Sequence, residues 1–277
     1  MEHSKVIQIT KLFSEGIGVR AIARLTGCHT HTILSVLETV GGKLSSFLDR
    51  TVRNITAPWG LQVDELWARV AIRQSRTTPE DTQRGDFYTF LGLCARSKLI
   101  VSQFTGKRDY ESTDQFAKDL ASRVVGRVQV TTDGWAAYPD TIRKYLLDRL
   151  DYAVMQKNYD TPPAEIEAKR RYSPAPFVGI TIQVRAGNPI RKRICTSFVE
   201  RSNLSVRHFN KRFARLGLGW SRKLENHRHA IALFVATYNF CKVHSTTGTT
   251  PAHGAGLADE PWTVERLLAA ATQRTMT

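Results

Sequence analysis

Between residues 61 and 132 the apolar period of this chain changes twice, and that change restricts its topology more than any other feature. "LQVDELWARVAI", "DFYTFLGLCA" and "KLIVSQFTG" read as strands. A polar loop from Pro79 to Gly85 and a turn at Arg96 and Ser97 separate them, so they should form an antiparallel meander. "ESTDQFAKDLASRVV" switches to helical spacing, with Phe116, Leu120 and Val124 on one stripe and Ser112 and Gln115 spaced as a capping box. "RVQVTTD" then returns to a short strand. A helical crossover normally joins parallel strands, so this fourth strand should lie parallel to the first and beside it. Asp133 would then stand at the C-terminal edge of one central strand, next to Asp64 in its neighbour.

The remaining chain extends an α/β pattern. Residues 141 to 159 read as a further helix and strand. From 160 to 193, Pro162, Pro163, Pro174 and Pro176 accompany a strand-like "FVGITIQV", read as an insertion or hairpin outside the main sheet. Two long helices follow, with stripes Val199, Val206, Phe209, Phe213, Leu216 and Leu224, Ile231, Phe234, Tyr238, Cys241. The expected organisation is a small all-α domain over 1–40, a linker over 41–60 that collects Gly, Ser and Pro, an α/β domain over 61–250, and a tail over 251–277 with a short helix. In the first segment three short helices surround "LTGCHTHT", whose Thr26 and Gly27 make a tight turn. Helix, Gly-containing turn, helix is the helix-turn-helix pattern; Thr30, His31 and Thr32 would then face base edges, and Arg20 and Arg24 phosphate.

Charge supports a polyanionic partner. The 277 residues carry 40 Lys and Arg against 25 Asp and Glu, a net +15. Residues 185 to 229 concentrate this excess, with Glu200 and Glu225 as the only acids among many cations. Such clusters gain affinity for nucleic acid by releasing its condensed counterions. No stretch approaches the roughly 20 apolar residues of a spanning helix, and "MEHSKVIQIT" has no apolar core of a signal peptide, so a cytoplasmic, nucleoid-associated protein without membrane contact is expected. Cys28, Cys94, Cys195 and Cys241 form no CxxC pair, which argues against a disulfide framework or a closed zinc site.

The carboxylates carry the chemistry. Aspartate is disfavoured inside strands, yet "VDELW" places Asp64 in one. Alone, Asp64 could face solvent, with Glu65 its outward polar neighbour, and Asp133 could simply make a turn before Gly134. On adjacent strands the two raise each other's pKa, and a divalent cation removes that repulsion. Glu200 could supply a third carboxylate from a helix, with Asn203 and Arg207 on the same helix face and Arg207 toward phosphate. Three oxygen donors without a Cys or His cluster suit Mg²⁺ or Mn²⁺. The attacking group could be water, which cuts DNA, or a 3′ hydroxyl, which joins it.

The motifs "VDELW", "TTDGW", "FVERSNLSVRHFNKRFARLGLGWSRKLENHRHAIALFVATYNFCKVH" and "TTPA", spread over most of residues 60 to 252, resemble transposases of the IS-one family of bacterial insertion sequences, within the acidic-triad group. The resemblance implies a ribonuclease-H-like mixed sheet flanked by helices and preceded by the helix-turn-helix domain. It also implies Mg²⁺-dependent cleavage and strand transfer, with Mn²⁺ as a substitute, and Asp64, Asp133 and Glu200 as catalytic metal-binding acids. The partners would be double-stranded DNA, both terminal inverted repeats and target, bound by a homo-oligomer. Asn203 and Arg207 match family positions assigned here to DNA binding; Glu225 and His227 match positions with a supporting role, a packed helix histidine being the alternative for His227. Two departures stand out. Asp133 and Glu200 are 67 positions apart, with Glu165 and Glu167 as rivals in between, and no Cys-rich zinc finger precedes the helices. Alternative functions are an inactive or domesticated helix-turn-helix DNA-binding protein and a structure-specific ribonuclease-H-like nuclease.

Overall fold

Five residues of continuous burial in β4 (Val128–Thr132) mark the centre of the sheet. In the computed structural model, which describes residues 2–160, 176–214 and 217–273, β4 is one of six strands ordered β3-β2-β1-β4-β5-β6. The others are β1 (Leu61–Val70), β2 (Gly85–Cys94), β3 (Ile100–Gly106), β5 (Leu150–Tyr159) and β6 (Phe177–Ala186). β1, β2 and β3 form the antiparallel meander. Helix α4 (Tyr110–Arg123) then crosses over to β4, which runs parallel to β1, and α5 (Tyr138–Leu146) crosses over to a parallel β5. The result is a mixed sheet flanked by helices, an arrangement compatible with a ribonuclease-H-like fold. Asp109 caps α4 by accepting from the Ser112 amide; Ser112, expected to be the cap, lies inside the helix.

The two sheet faces follow from strand alternation. Gln62 and Asp64 point toward α6 (Ser197–Phe209), while Glu65 points toward α5. α7 (Leu224–Phe240) packs against β3, where Asn239 both accepts from the Ile100 amide and donates to its carbonyl. Two short helices, α8 (Pro251–Gly254) and α9 (Val264–Thr272), follow. Among the described residues no helix is long and apolar enough to cross a membrane.

Three expectations change. The first concerns 41–60: α1 (His3–Ser14) and α2 (Val19–Thr26) are short, but α3 runs over Thr30–Thr51, into the stretch read as a linker. Gly41 and Gly42, which suggested flexibility, lie inside α3, and Gly41 lets the backbone approach His229 of α7 closely. Packing decides the conformation there, and Val40, Leu44, Phe47 and Leu48 join the same buried cluster as the sheet. Second, "FVGITIQV" is β6, hydrogen-bonded to β5 as the outer strand of the main sheet. Third, α6 stops at Phe209, where the extended backbone of Asn210 and a single 3₁₀ turn at Lys211–Phe213 replace the longer helix expected. Glu165, Glu167, Arg215 and Leu216 lie outside the described residues.

Candidate metal centre

The parallel register between β1 and β4 ends at Val63 opposite Thr132, so the next residue of each strand is Asp64 and Asp133. Beyond that point β4 has ended while β1 continues beside β2, so the edge of β1 that paired with β4 is no longer covered by that strand. Asp64, Glu65 and Asp133 each offer a carboxylate oxygen there, all within 4.8 Å of one another.

Each acid is held by a neighbour. Asp133 Oδ1 accepts from the Trp135 amide at 3.0 Å, a local turn that fixes the carboxylate as the strand ends. The Trp135 indole donates to Thr113, and the Tyr138 hydroxyl donates to Glu65 Oε2 at 2.9 Å. Thus the two aromatics of "TTDGWAAY" both serve the acid cluster. Arg108 donates to Glu65 Oε1 at 2.6 Å, approaches Asp133 at 3.9 Å, and lies over the Trp135 ring. On the other face, Gln62 Oε1 accepts from the Phe198 and Val199 amides in the first turn of α6. These are donors that a helix N-terminus leaves without internal partners. That cap aligns α6 so that Asn203 Nδ2 reaches Asp64 Oδ2 at 2.6 Å. Asn203, expected at DNA, is buried and serves Asp64 instead.

All three acids are raised by burial and by the repulsion of nearby carboxylates. Burial, then the charges of Glu65 and Asp133, push Asp64 up to about 7. Glu65 and Asp133 are also raised, in both cases chiefly by burial. Three carboxylates sharing partly desolvated space resist ionising together unless a cation compensates them. Asp64, Asp133 and Glu65 could together hold a metal ion, and their all-oxygen donor set is of the kind that suits a hard divalent cation. Glu200 lies near enough that its charge raises both aspartates. Its own carboxylate, however, is engaged by Lys157 Nζ at 2.6 Å and by the Thr196 hydroxyl at 2.6 Å, and it is not one of the three clustered acids.

The remaining expected residues lie elsewhere. Arg20, Arg24, His31 and Thr32 are exposed and Thr30 is half-buried; His29 caps α3 by accepting from the His31 amide. Gly27, with φ of 69°, ends α2 in the left-handed conformation that the tight turn requires. Arg20, Arg24 and Thr30 line one cleft of about 760 Å³, together with Lys211, Arg212 and Arg222, and among the described residues no acid lines it. Arg207 is half-buried on α6, and Glu225 is exposed in the first turn of α7. His227 is buried against Phe213 and Ser221, the packed position named as its alternative.

Sequence reasoning missed Glu65, Arg108, Tyr138 and Lys157. Alternation in a strand sends Glu65 to the face opposite Asp64, which made it look like a solvent residue. The usable signal was the length difference between β1 and β4.

No family model and no curated protein matches the chain. Among solved structures it is similar to a piggyBac transposase, seen by cryo-EM in a synaptic complex with hairpin DNA. The identity is 11% and the TM-score 0.34, over 91% of this chain and 56% of that one. The chain thus spans little more than half the length of that transposase chain.

Proposed function

We propose that the protein is a DNA transposase that binds the terminal inverted repeats of an insertion sequence and carries out metal-dependent strand cleavage and strand transfer. The observation that carries this reading is the convergence of Asp64, Glu65 and Asp133 at the end of the parallel β1–β4 pairing. Mg²⁺ or Mn²⁺, when bound, would polarise a phosphodiester oxygen and raise the acidity of the attacking hydroxyl. The chain's own groups do the rest. Asp64 on β1 and Asp133 just past the end of β4 would hold the ion, and Asn203 fixes the orientation of Asp64. Glu65 and Glu200 compete for the third position: Tyr138 and Arg108 position the first, Lys157 and Thr196 the second.

The IS-one resemblance favours Glu200, which would have to exchange its bond to Lys157 for the ion and so free Lys157 for a DNA phosphate. In the same reading α2, the Gly27 turn and α3 form the helix-turn-helix, with Thr30, His31 and Thr32 toward bases. Arg20, Arg24 and the cations across the cleft meet backbone phosphate.

The test is cleavage and joining of DNA carrying the terminal repeats by the full chain in Mg²⁺ or Mn²⁺. Asp64→Asn and Asp133→Asn should each lower cleavage by about a thousandfold, the loss expected when several kcal/mol of charge stabilisation disappears. Comparable loss in only one of Glu65→Gln and Glu200→Gln identifies the third acid. Undiminished cleavage by the aspartate variants would refute the site, and cleavage without joined products would mark a nuclease.

A further inference from the structure

β6 is the outer strand of the sheet, and among the described residues only β5 pairs with it. Ile180, Ile182 and Val184 alternate along its regularly paired stretch, so they share one face, and Val178 follows at the register shift beyond Gly179. They are 68%, 51%, 48% and 54% exposed. Natural edge strands are normally protected by charge, proline or bulges, because an open edge templates pairing with another chain. From Val178 to Val184 β6 has neither a charge nor a proline, and its register with β5 is regular from Gly179 to Val184, the register shifts falling at the two ends, at Val178 and Arg185. Such a stretch is suited to a strand partner.

The sequence identifies the partner. Val178-Gly179-Ile180-Thr181-Ile182-Gln183-Val184 has the same aliphatic pattern in both directions about Thr181. Antiparallel pairing with a second copy about a two-fold axis at Thr181 sets Ile180 against Ile182 on one face of the joined sheet, with Val178 and Val184 opposite each other at its ends. It also sets Arg185 against Phe177, so no like charges oppose across the pair. We propose that β6 pairs in this way with β6 of a second copy, joining two six-stranded sheets into one. Four half-exposed aliphatic side chains and a strand edge contribute less than the roughly 800 Å² per partner of a standard interface. The dimer is therefore weak and concentration-dependent without DNA.

This interface does not depend on the proposed activity, but its position bears on it. Ile180 lies opposite Lys157, the residue that holds Glu200, and Ile182 lies opposite Met155. The partner strand thus joins at the β6 edge with its aliphatic row on the sheet face that carries α6, and both acid clusters belong to one continuous sheet.

Sedimentation velocity of the full chain over a concentration series tests the pairing. The wild type should show a monomer–dimer equilibrium. Ile180→Glu with Ile182→Glu, and Ile180→Lys with Ile182→Lys, should each be monomeric, and mixing the two proteins should restore a dimer. Restoration also shows that both variants are folded. In a separate measurement, Thr181→Cys should give a dimer with a short thiol cross-linker under conditions where the wild type does not. A wild type that stays monomeric at every concentration, charged variants that still dimerise, a mixture without dimers, or no cross-link through position 181 would each overturn the proposal.

Discussion

His227 shows how one buried side chain sets a pH response. Arg212 donates to Ser221 Oγ, and Ser221 Oγ lies within hydrogen-bond distance of His227 Nδ1 at 3.2 Å. Burial first, then Arg212 and Arg228, push its pKa down to about 3 from the ordinary 6.5. The folded protein therefore refuses a proton that the unfolded chain accepts below pH 6.5. Stability is intact above that value and is lost as pH falls toward 3, at up to about 1.4 kcal/mol per unit. Urea unfolding at pH 7 and pH 5 should show the wild type losing about 2 kcal/mol more than His227→Gln. Equal losses would mean the imidazole is solvated in the fold. At this scale the sequence revealed Asp64 and Asp133, because the period change fixed strand neighbours. It hid Glu65, because alternation is a rule for paired strands and fails to separate side chains where one strand outruns its partner. Lys157 was hidden because its partner Glu200 is 43 positions away, a proximity created only by tertiary packing.

Among the elements, α3 departs most from its sequence pattern. Two adjacent glycines read as a break, yet they have different reasons to be small. A Cβ at Gly41 would sit 2.4 Å from the His229 Cβ and 2.8 Å from its backbone, whereas one at Gly42 would meet only the far end of that side chain at 3.8 Å. Gly41→Ala should destabilise by about 1 to 3 kcal/mol, overpacking outweighing the gain in helix propensity. Gly42→Ala should stabilise by roughly 0.5 to 1 kcal/mol through lower unfolded-chain entropy. Thermal denaturation of the two variants checks the opposite signs. The meander and both crossovers were legible because each follows from a local period. β6 was misplaced outside the sheet because four nearby prolines suggested a detour, and composition does not reveal which strand edge is open.

For the whole molecule, α1, α2 and α3 share one buried cluster with the sheet. Arg123 of α4 clasps the end of α3 through the Leu48 and Val52 carbonyls and Asp49, and Ile55 bridges to Val124. Calorimetry should therefore give one unfolding transition with calorimetric and van't Hoff enthalpies in agreement. Two separated transitions would restore the picture of a tethered N-terminal unit. The expected boundary at 41–60 came from composition, whereas the observed continuity comes from contacts between segments about 190 residues apart, such as Gly41 and His229. That welded seam fixes the span from the Gly27 turn to Asp64 and Asp133. Under the proposed function such a span would work as a ruler: the scissile bond would fall at a set number of base pairs from the recognised sequence, and inserting half a helical turn between them would uncouple recognition from breakage.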